Sequence, residues 1–105
     1  MLQIASMHII SRQRLLVFSQ RHADAAEALD QWYRSAKGAS WQHLEEVKLQ
    51  FPKAEAVGNF TVFNIKGNKY RLVVSLDYQA QVIYIKFVLT HAEYDKDEWK
   101  HDPYY

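Results

Sequence analysis

Phe60-Thr61-Val62-Phe63-Asn64-Ile65, then Lys66-Gly67-Asn68, then Lys69-Tyr70-Arg71-Leu72-Val73-Val74-Ser75-Leu76-Asp77 reads as two β-strands joined by a tight hairpin turn. β-Branched and aromatic residues fill both arms, and Lys66-Gly67-Asn68 between them suits a tight hairpin. A third run, Gln81 to Leu89, follows through a turn near Gln79-Ala80, so a three-stranded meander is predicted. Successive side chains on a strand point to opposite faces. One face then collects Phe63, Ile65, Tyr70, Leu72, Val74, Leu76, Ile83, Ile85, Phe87 and Leu89, nearly all apolar. The other collects Asn64, Lys69, Arg71, Ser75, Tyr84 and Lys86, a row of cations, hydroxyls and an amide.

The apolar face needs a covering layer, and the residues before the meander supply one. Met7 to Ile10 reads as a short strand, and Ser11 stands where it can cap a helix running from Arg12 to about His22. Asp24 and Glu27 have capping-box spacing at the head of a second helix. That helix carries Ala25, Ala28, Leu29, Trp32 and Ala36 on one stripe and stops at Gly38. Trp32 on that stripe is read as core. Ser40 can cap a shorter helix through Trp41, Leu44, Glu45 and Lys48, which Phe51-Pro52 ends, and a loop through Gly58 follows.

After the meander, Thr90 and Glu93 form a Thr-x-x-Glu capping box, which predicts a helix from His91 towards Trp99. The tail from His101 to Tyr105 shows no periodicity. The expected architecture is α+β: a small, mainly antiparallel sheet, two N-terminal helices packed on one face, and a short C-terminal helix.

A chain of 105 residues suggests one domain, 1–105. Met7 opens the first structured element, so Met1 to Ser6 reads as an N-terminal extension, with Met1 and Met7 both open as the start. Hydrophobic residues at 49% and charged residues at 24% indicate a packed core rather than a disordered chain. With no cysteine, neither a disulfide nor a thiolate site can form. Apolar runs as short as Leu72 to Val74 cannot span a bilayer, and the start lacks the pattern of a secretory signal, so a cytoplasmic protein is expected. A net charge of +1 does not by itself suggest nucleic acid. Segregation does: Asp24, Glu27 and Asp30 are expected on the helical layer, away from the cationic sheet face.

Four stretches carry a family resemblance: Met7-His8-Ile9-Ile10-Ser11, Leu44 to Pro52, the hairpin Phe63 to Val73, and Thr90-His91-Ala92-Glu93-Tyr94-Asp95. Their order and spacing from Met7 to Asp95 resemble HigB-type toxins of the RelE and ParE superfamily. The resemblance implies a RelE-like fold and metal-independent cleavage of mRNA on the ribosome, with neutralisation by a cognate helix-turn-helix antitoxin. ParE-type members act on DNA gyrase without cutting RNA, so a non-catalytic toxin or protein-binding module on the same fold is the alternative.

RNA supplies its own nucleophile, the 2′-hydroxyl. A metal-free ribonuclease then needs a base for that proton, an acid for the leaving 5′-oxygen, and cations for the phosphorane charge. His91 sits at a strand-to-helix junction beside the polar face, and an imidazole is the side chain best suited to general acid-base work near neutral pH. Tyr94 follows three residues later, where both side chains can address one point. Arg71 suits bidentate contact with phosphate, and Lys48 can add a second charge from the short helix. Asn64, Lys69 and Lys86 complete an RNA-binding row, although many similar toxins carry Arg where this chain has Lys86. Plainer roles stand beside these: His91 as a capping or surface residue, Tyr94 as packing at the sheet edge, Arg71 as the partner of Asp77 or Glu93. His8, His22, His43 and His101 lack metal-ligand spacing, and neither metal nor small-molecule cofactor is expected.

Overall fold

The computed structural model describes residues 6–105. The strands are β1 (His8–Ile10), β2 (Glu55–Val57), β3 (Phe60–Ile65), β4 (Tyr70–Asp77) and β5 (Val82–Thr90). The helices are α1 (Gln13–Arg21), α2 (Ala26–Lys37), α3 (Leu44–Gln50) and α4 (His91–Asp95), with 3₁₀ turns at Ala23–Ala25 and Glu98–His101. The architecture is α+β. One five-stranded sheet runs in the order β1-β5-β4-β3-β2, antiparallel except for the parallel pairing of β1 with β5. The expected N-terminal extension falls almost wholly outside the described residues.

α1, α2 and α3 cover one face. Leu15, Phe18, Leu29, Trp32, Ala36 and Val47 meet Phe63, Ile65, Leu72, Val74, Ile83 and Ile85 in the main core. Trp32 is buried and packs edge-on to Phe63. The helical stripe and the strand alternation meet here as the periodicities require.

Several local expectations are corrected. Glu55–Val57 lies in the stretch read as loop yet forms an edge strand on β3. Its three residues are too few to show a period, and pairing with Phe60–Val62 is what makes it a strand. Ser11 caps nothing: it takes a left-handed φ of 74° and α1 begins after Arg12 without a side-chain cap. Ser40 does not cap α3 either: the residue at its N-cap is His43, in extended backbone and with no side-chain hydrogen bond. Trp41, placed in that helix by sequence, lies before it and is buried.

The largest correction concerns β5. Val73 faces Phe87 but Val74 faces Ile85, so Lys86 is an extra residue and the alternation reverses there. Ile83 and Ile85 join the main core, while Phe87 and Leu89 turn to the other face. That face is therefore not a purely polar row. It carries a second core of Phe60, Val62, Val73 and Trp99, flanked by Phe87, Leu89, Tyr94 and Tyr105.

The C-terminal residues close this second core instead of trailing away. α4 stops at Asp95, and Asp97 adopts φ 62° to turn the chain back over the sheet. Trp99 is buried, and Tyr105 packs edge-on to both Trp99 and Phe60. Asn59 Nδ2 donates to the Tyr105 carbonyl at 3.0 Å. Gly58 permits this closure. It holds φ +59°, and a Cβ there would come within 2.7–2.9 Å of the Tyr105 ring.

Candidate functional site

Arg71 lies on the sheet face opposite the helices, between Asn64 on β3 and Leu89 on β5. Its guanidinium bends back to the hairpin turn. Nη1 donates to the Asn68 carbonyl at 2.9 Å and more weakly to that of Tyr70 at 3.4 Å, while Nη2 donates to Asn68 Oδ1. Neither Asp77 nor Glu93 is its partner, and no carboxylate among the described residues pairs with it. The Tyr94 ring lies beneath, with its centroid 5.2 Å from Cζ.

Tyr94 is positioned by α4 and by the C-terminal turn. The capping box forms: Glu93 N–H donates to Thr90 Oγ1 at 3.1 Å and Thr90 N–H to Glu93 Oε1 at 2.8 Å. The Tyr94 ring stacks on Trp99 at 5.1 Å, and Trp99 Nε1–H donates to the Tyr94 carbonyl at 3.0 Å. Burial, with the nearby negative charge of Glu55, pushes the Tyr94 phenol up, against the opposing pull of Arg71 and Lys100. The phenol therefore stays protonated at neutral pH.

His91 opens α4, and its N–H donates to the Lys69 carbonyl at 3.1 Å. Its half-exposed imidazole places Nδ1 3.0 Å from Asp95 Oδ2. An Nδ1–H directed at that carboxylate would leave Nε2 without a partner among the described residues. The structure thus joins Arg71, Tyr94 and the hairpin directly. It holds His91 at the same end of the sheet through the Lys69 backbone.

The remaining candidates are more dispersed. Lys69 is bound by Asp24, which also takes a hydrogen bond from Tyr70 Oη at 2.6 Å and an ion pair from Lys66 Nζ at 3.4 Å. Asp24 is therefore neither a helix cap nor remote from the cations. The 3₁₀ turn at Ala23–Ala25 carries it to the hairpin, where two ammonium groups and a phenol outweigh a single backbone N–H. Lys86 sits at the bulge, with Nζ 3.2 Å from Asp102 and close to the rings of Tyr104 and Phe60. Asn64 lines a hollow of about 390 Å³ with Phe51, Pro52, Lys53 and Gly67. Lys48 is exposed on α3, a helix whose Val47 belongs to the main core on the far side of the sheet from Arg71. Two hollows of about 500 Å³ flank Arg14 and Lys86, and neither includes Arg71, His91 or Tyr94. Among the described residues no three His, Asp or Glu side chains gather as a metal-ligand set.

Sequence reasoning missed Asn68 and Trp99. Asn68 was legible only as a turn residue, and Trp99 as a lone aromatic at the end of a helix that in fact stops sooner.

The Asp24 cluster gives a pH test. Hydrogen bonds from Lys69 and then Tyr70 hold its carboxyl well below the ordinary 3.8 despite some desolvation. A folded-state value below the unfolded one contributes stability that is present above the unfolded value and is lost as pH falls through the folded one. The gap in melting temperature between wild type and Asp24→Asn is expected to be widest near neutral pH and to close as pH drops below about 4. A gap that does not change with pH would assign the loss to packing rather than to the charge.

Sequence comparison connects this geometry to known proteins. The HigB toxin family, described as the RelE-like toxic component of a toxin-antitoxin system, matches residues 25–97, a span that includes Asn68, Arg71, His91 and Tyr94. The mRNA interferase HigB of Escherichia coli O6:H1 is 28% identical over 93 residues, covering 86% of this chain and 90% of that protein. The mRNA interferase toxin HigB of Escherichia coli K12 and the mRNA interferase HigB of Shigella flexneri are each 27% identical over 92 residues, covering 85% of this chain and 88% of theirs. With its mainly antiparallel sheet, its helical cover and a family match that runs through the Arg71 and Tyr94 site, this chain belongs to the HigB toxin family, the RelE-like toxic components of toxin-antitoxin systems.

Proposed function

We propose that the chain is a ribosome-dependent, metal-independent endoribonuclease that cuts mRNA and leaves a 2′,3′-cyclic phosphate. The observation that carries this reading is the Arg71 guanidinium held over the protonated Tyr94 phenol, at the sheet end where His91 begins α4. In the reaction, His91 Nε2 takes the 2′-hydroxyl proton and the 2′-oxygen bonds to phosphorus. The bond from phosphorus to the 5′-oxygen breaks, and Tyr94 Oη–H protonates that oxygen. Arg71 stabilises the charge that accumulates on the non-bridging oxygens between these events. Asp95 keeps the His91 tautomer in register for its role.

The names of the relatives support mRNA as the substrate, and the half-exposed imidazole of His91 suits a strand presented by a ribosome. Asn64 contributes to RNA binding from beside Arg71, whereas Lys48, on the helical side of the sheet, stands outside the reacting centre. Lys86 contributes by exchanging Asp102 for phosphate, and Lys69 contributes its positive charge beside the site while it stays paired with Asp24. The work is cytoplasmic, and the inhibitor is a cognate helix-turn-helix antitoxin.

Expression of the chain alone is expected to arrest growth, and coexpression of the antitoxin to restore it. On programmed ribosomes, His91→Ala and Tyr94→Phe should each slow single-turnover cleavage by on the order of a hundredfold to ten-thousandfold, with ribosome affinity within a few fold of wild type. Wild-type rates in both variants would refute the acid-base assignment. A wild-type protein that binds ribosomes or gyrase and generates no new RNA ends would replace the nuclease reading with that of a protein-binding toxin.

A further inference from the structure

We propose that Asn68 is a positioning residue that presents one edge of Arg71 to the scissile phosphate, and that Asp24 anchors the hairpin from which Asn68 acts. The proposal rests on the nuclease reading above and assigns the machinery behind its main cation.

A guanidinium has two forks that can take an anion: the end, formed by Nη1 and Nη2, and the side, formed by Nε and the outer N–H of Nη2. Asn68 engages both terminal nitrogens, with its carbonyl on Nη1, which also reaches the Tyr70 carbonyl, and its side-chain oxygen on Nη2. Nε has no protein partner among the described residues, and Nη2, with one bond made, keeps a second N–H for the side fork. Tyr94 supports one face of the plane. A guanidinium fixed in this way offers a phosphate a single bidentate approach, with the entropy of ordering a long side chain already spent in folding.

Asn68 can do this only if the turn holds still, and the turn is strained. Lys66 and Gly67 are consecutive left-handed residues, at φ 52° and 66°, and Lys66 has a side chain that disfavours that region. The Lys69 N–H donation to the Lys66 carbonyl, at 3.2 Å, closes the turn. Asp24 then grips it from the helical layer by three side chains, Lys66, Lys69 and Tyr70. Because the Lys69 carbonyl also accepts from His91 N–H, the same anchor steadies the start of α4. One carboxylate across the layers thus governs where both Arg71 and His91 point.

The test is a double-mutant cycle read in single-turnover cleavage on programmed ribosomes. Asn68→Ala is expected to slow cleavage by on the order of tenfold to a hundredfold, with ribosome affinity within a few fold. In an Arg71→Lys background, which keeps the charge but has no fork to orient, Asn68→Ala should change the rate by less than about twofold. Asp24→Asn should show a loss that shrinks in that background without vanishing, because its hold on the start of α4 through the Lys69 carbonyl remains. Equal slowing by Asn68→Ala in both backgrounds would mean a general structural role and overturn the proposal, as would a wild-type rate in Asn68→Ala itself. A second readout does not depend on activity. In ¹⁵N-labelled protein the two Arg71 Nη groups should give separate signals in wild type, through hindered rotation, and merge in Asn68→Ala. Wild type that cuts no RNA defeats the nuclease reading; the clamp is then judged by these signals, and Nη groups already averaged in wild type overturn it.

Discussion

Arg71→Ala is expected to lower single-turnover mRNA cleavage by on the order of a hundredfold to a thousandfold, the usual consequence of removing one preorganised charge-stabilising group. Toxicity on expression should disappear with it. The fold should survive, because the Arg71 side chain lies outside both cores and its bonds run to a surface turn. What it loses in stability is a contact with the Tyr94 face and hydrogen bonds at the surface, together on the order of 1 kcal/mol. Leu72→Ala is the contrast. Its side chain is fully buried on the opposite face, and its truncation should cost about 2–5 kcal/mol. Thermal denaturation separates the two. A melting temperature for Arg71→Ala as low as that for Leu72→Ala would show that Arg71 is structural, whatever happens to activity.

Trp99→Ala has the second large effect, and it falls on stability and activity together. Trp99 is only 4% exposed and lies under the C-terminal turn among Phe60, Val62 and Val73. Removing so large a buried aromatic typically costs about 3–5 kcal/mol, a large part of the total stability of a small domain. Denaturation should register this as a melting temperature lower by more than about ten degrees. The ring also stacks on Tyr94 and donates to its carbonyl, so the phenol that faces Arg71 loses its support and cleavage slows in the same variant. Trp99→Phe keeps an aromatic surface and loses the Nε1–H donor, so it should fall between the two. A Trp99→Ala protein with near-wild-type melting would show that the C-terminal turn rests on the sheet without holding it.

Much of the molecule was legible in one dimension because the relevant physics is local. Helix and strand periods in the stripes of α2 and β4 identified the main core, and Trp32 proved to be in it. The Lys66-Gly67-Asn68 turn and the Thr90 and Glu93 box are interactions between residues no more than a few positions apart, and both stand where the sequence indicates. Alternation along β4 placed Arg71 on the face away from the helices, and that holds because no bulge interrupts β4's own alternation.

The surroundings of Arg71 were settled by contacts between residues far apart in the chain. One extra residue at Lys86 reversed β5 and turned Phe87 and Leu89 onto the face that alternation leaves polar. That apolar surface in turn gave Trp99 and Tyr105 something to bury against, so a tail without periodicity became the cover of a second core. Asp24 reads equally well as a helix cap, and only the arrival of Lys66, Lys69 and Tyr70 from more than forty positions away gives it a better partner set. Periodicity and capping report what a residue does with its neighbours in sequence. Which of several satisfactory partners a charged or aromatic side chain takes is a competition among long-range contacts, and its outcome exists only once the sheet, the helices and the C-terminal turn have closed on one another.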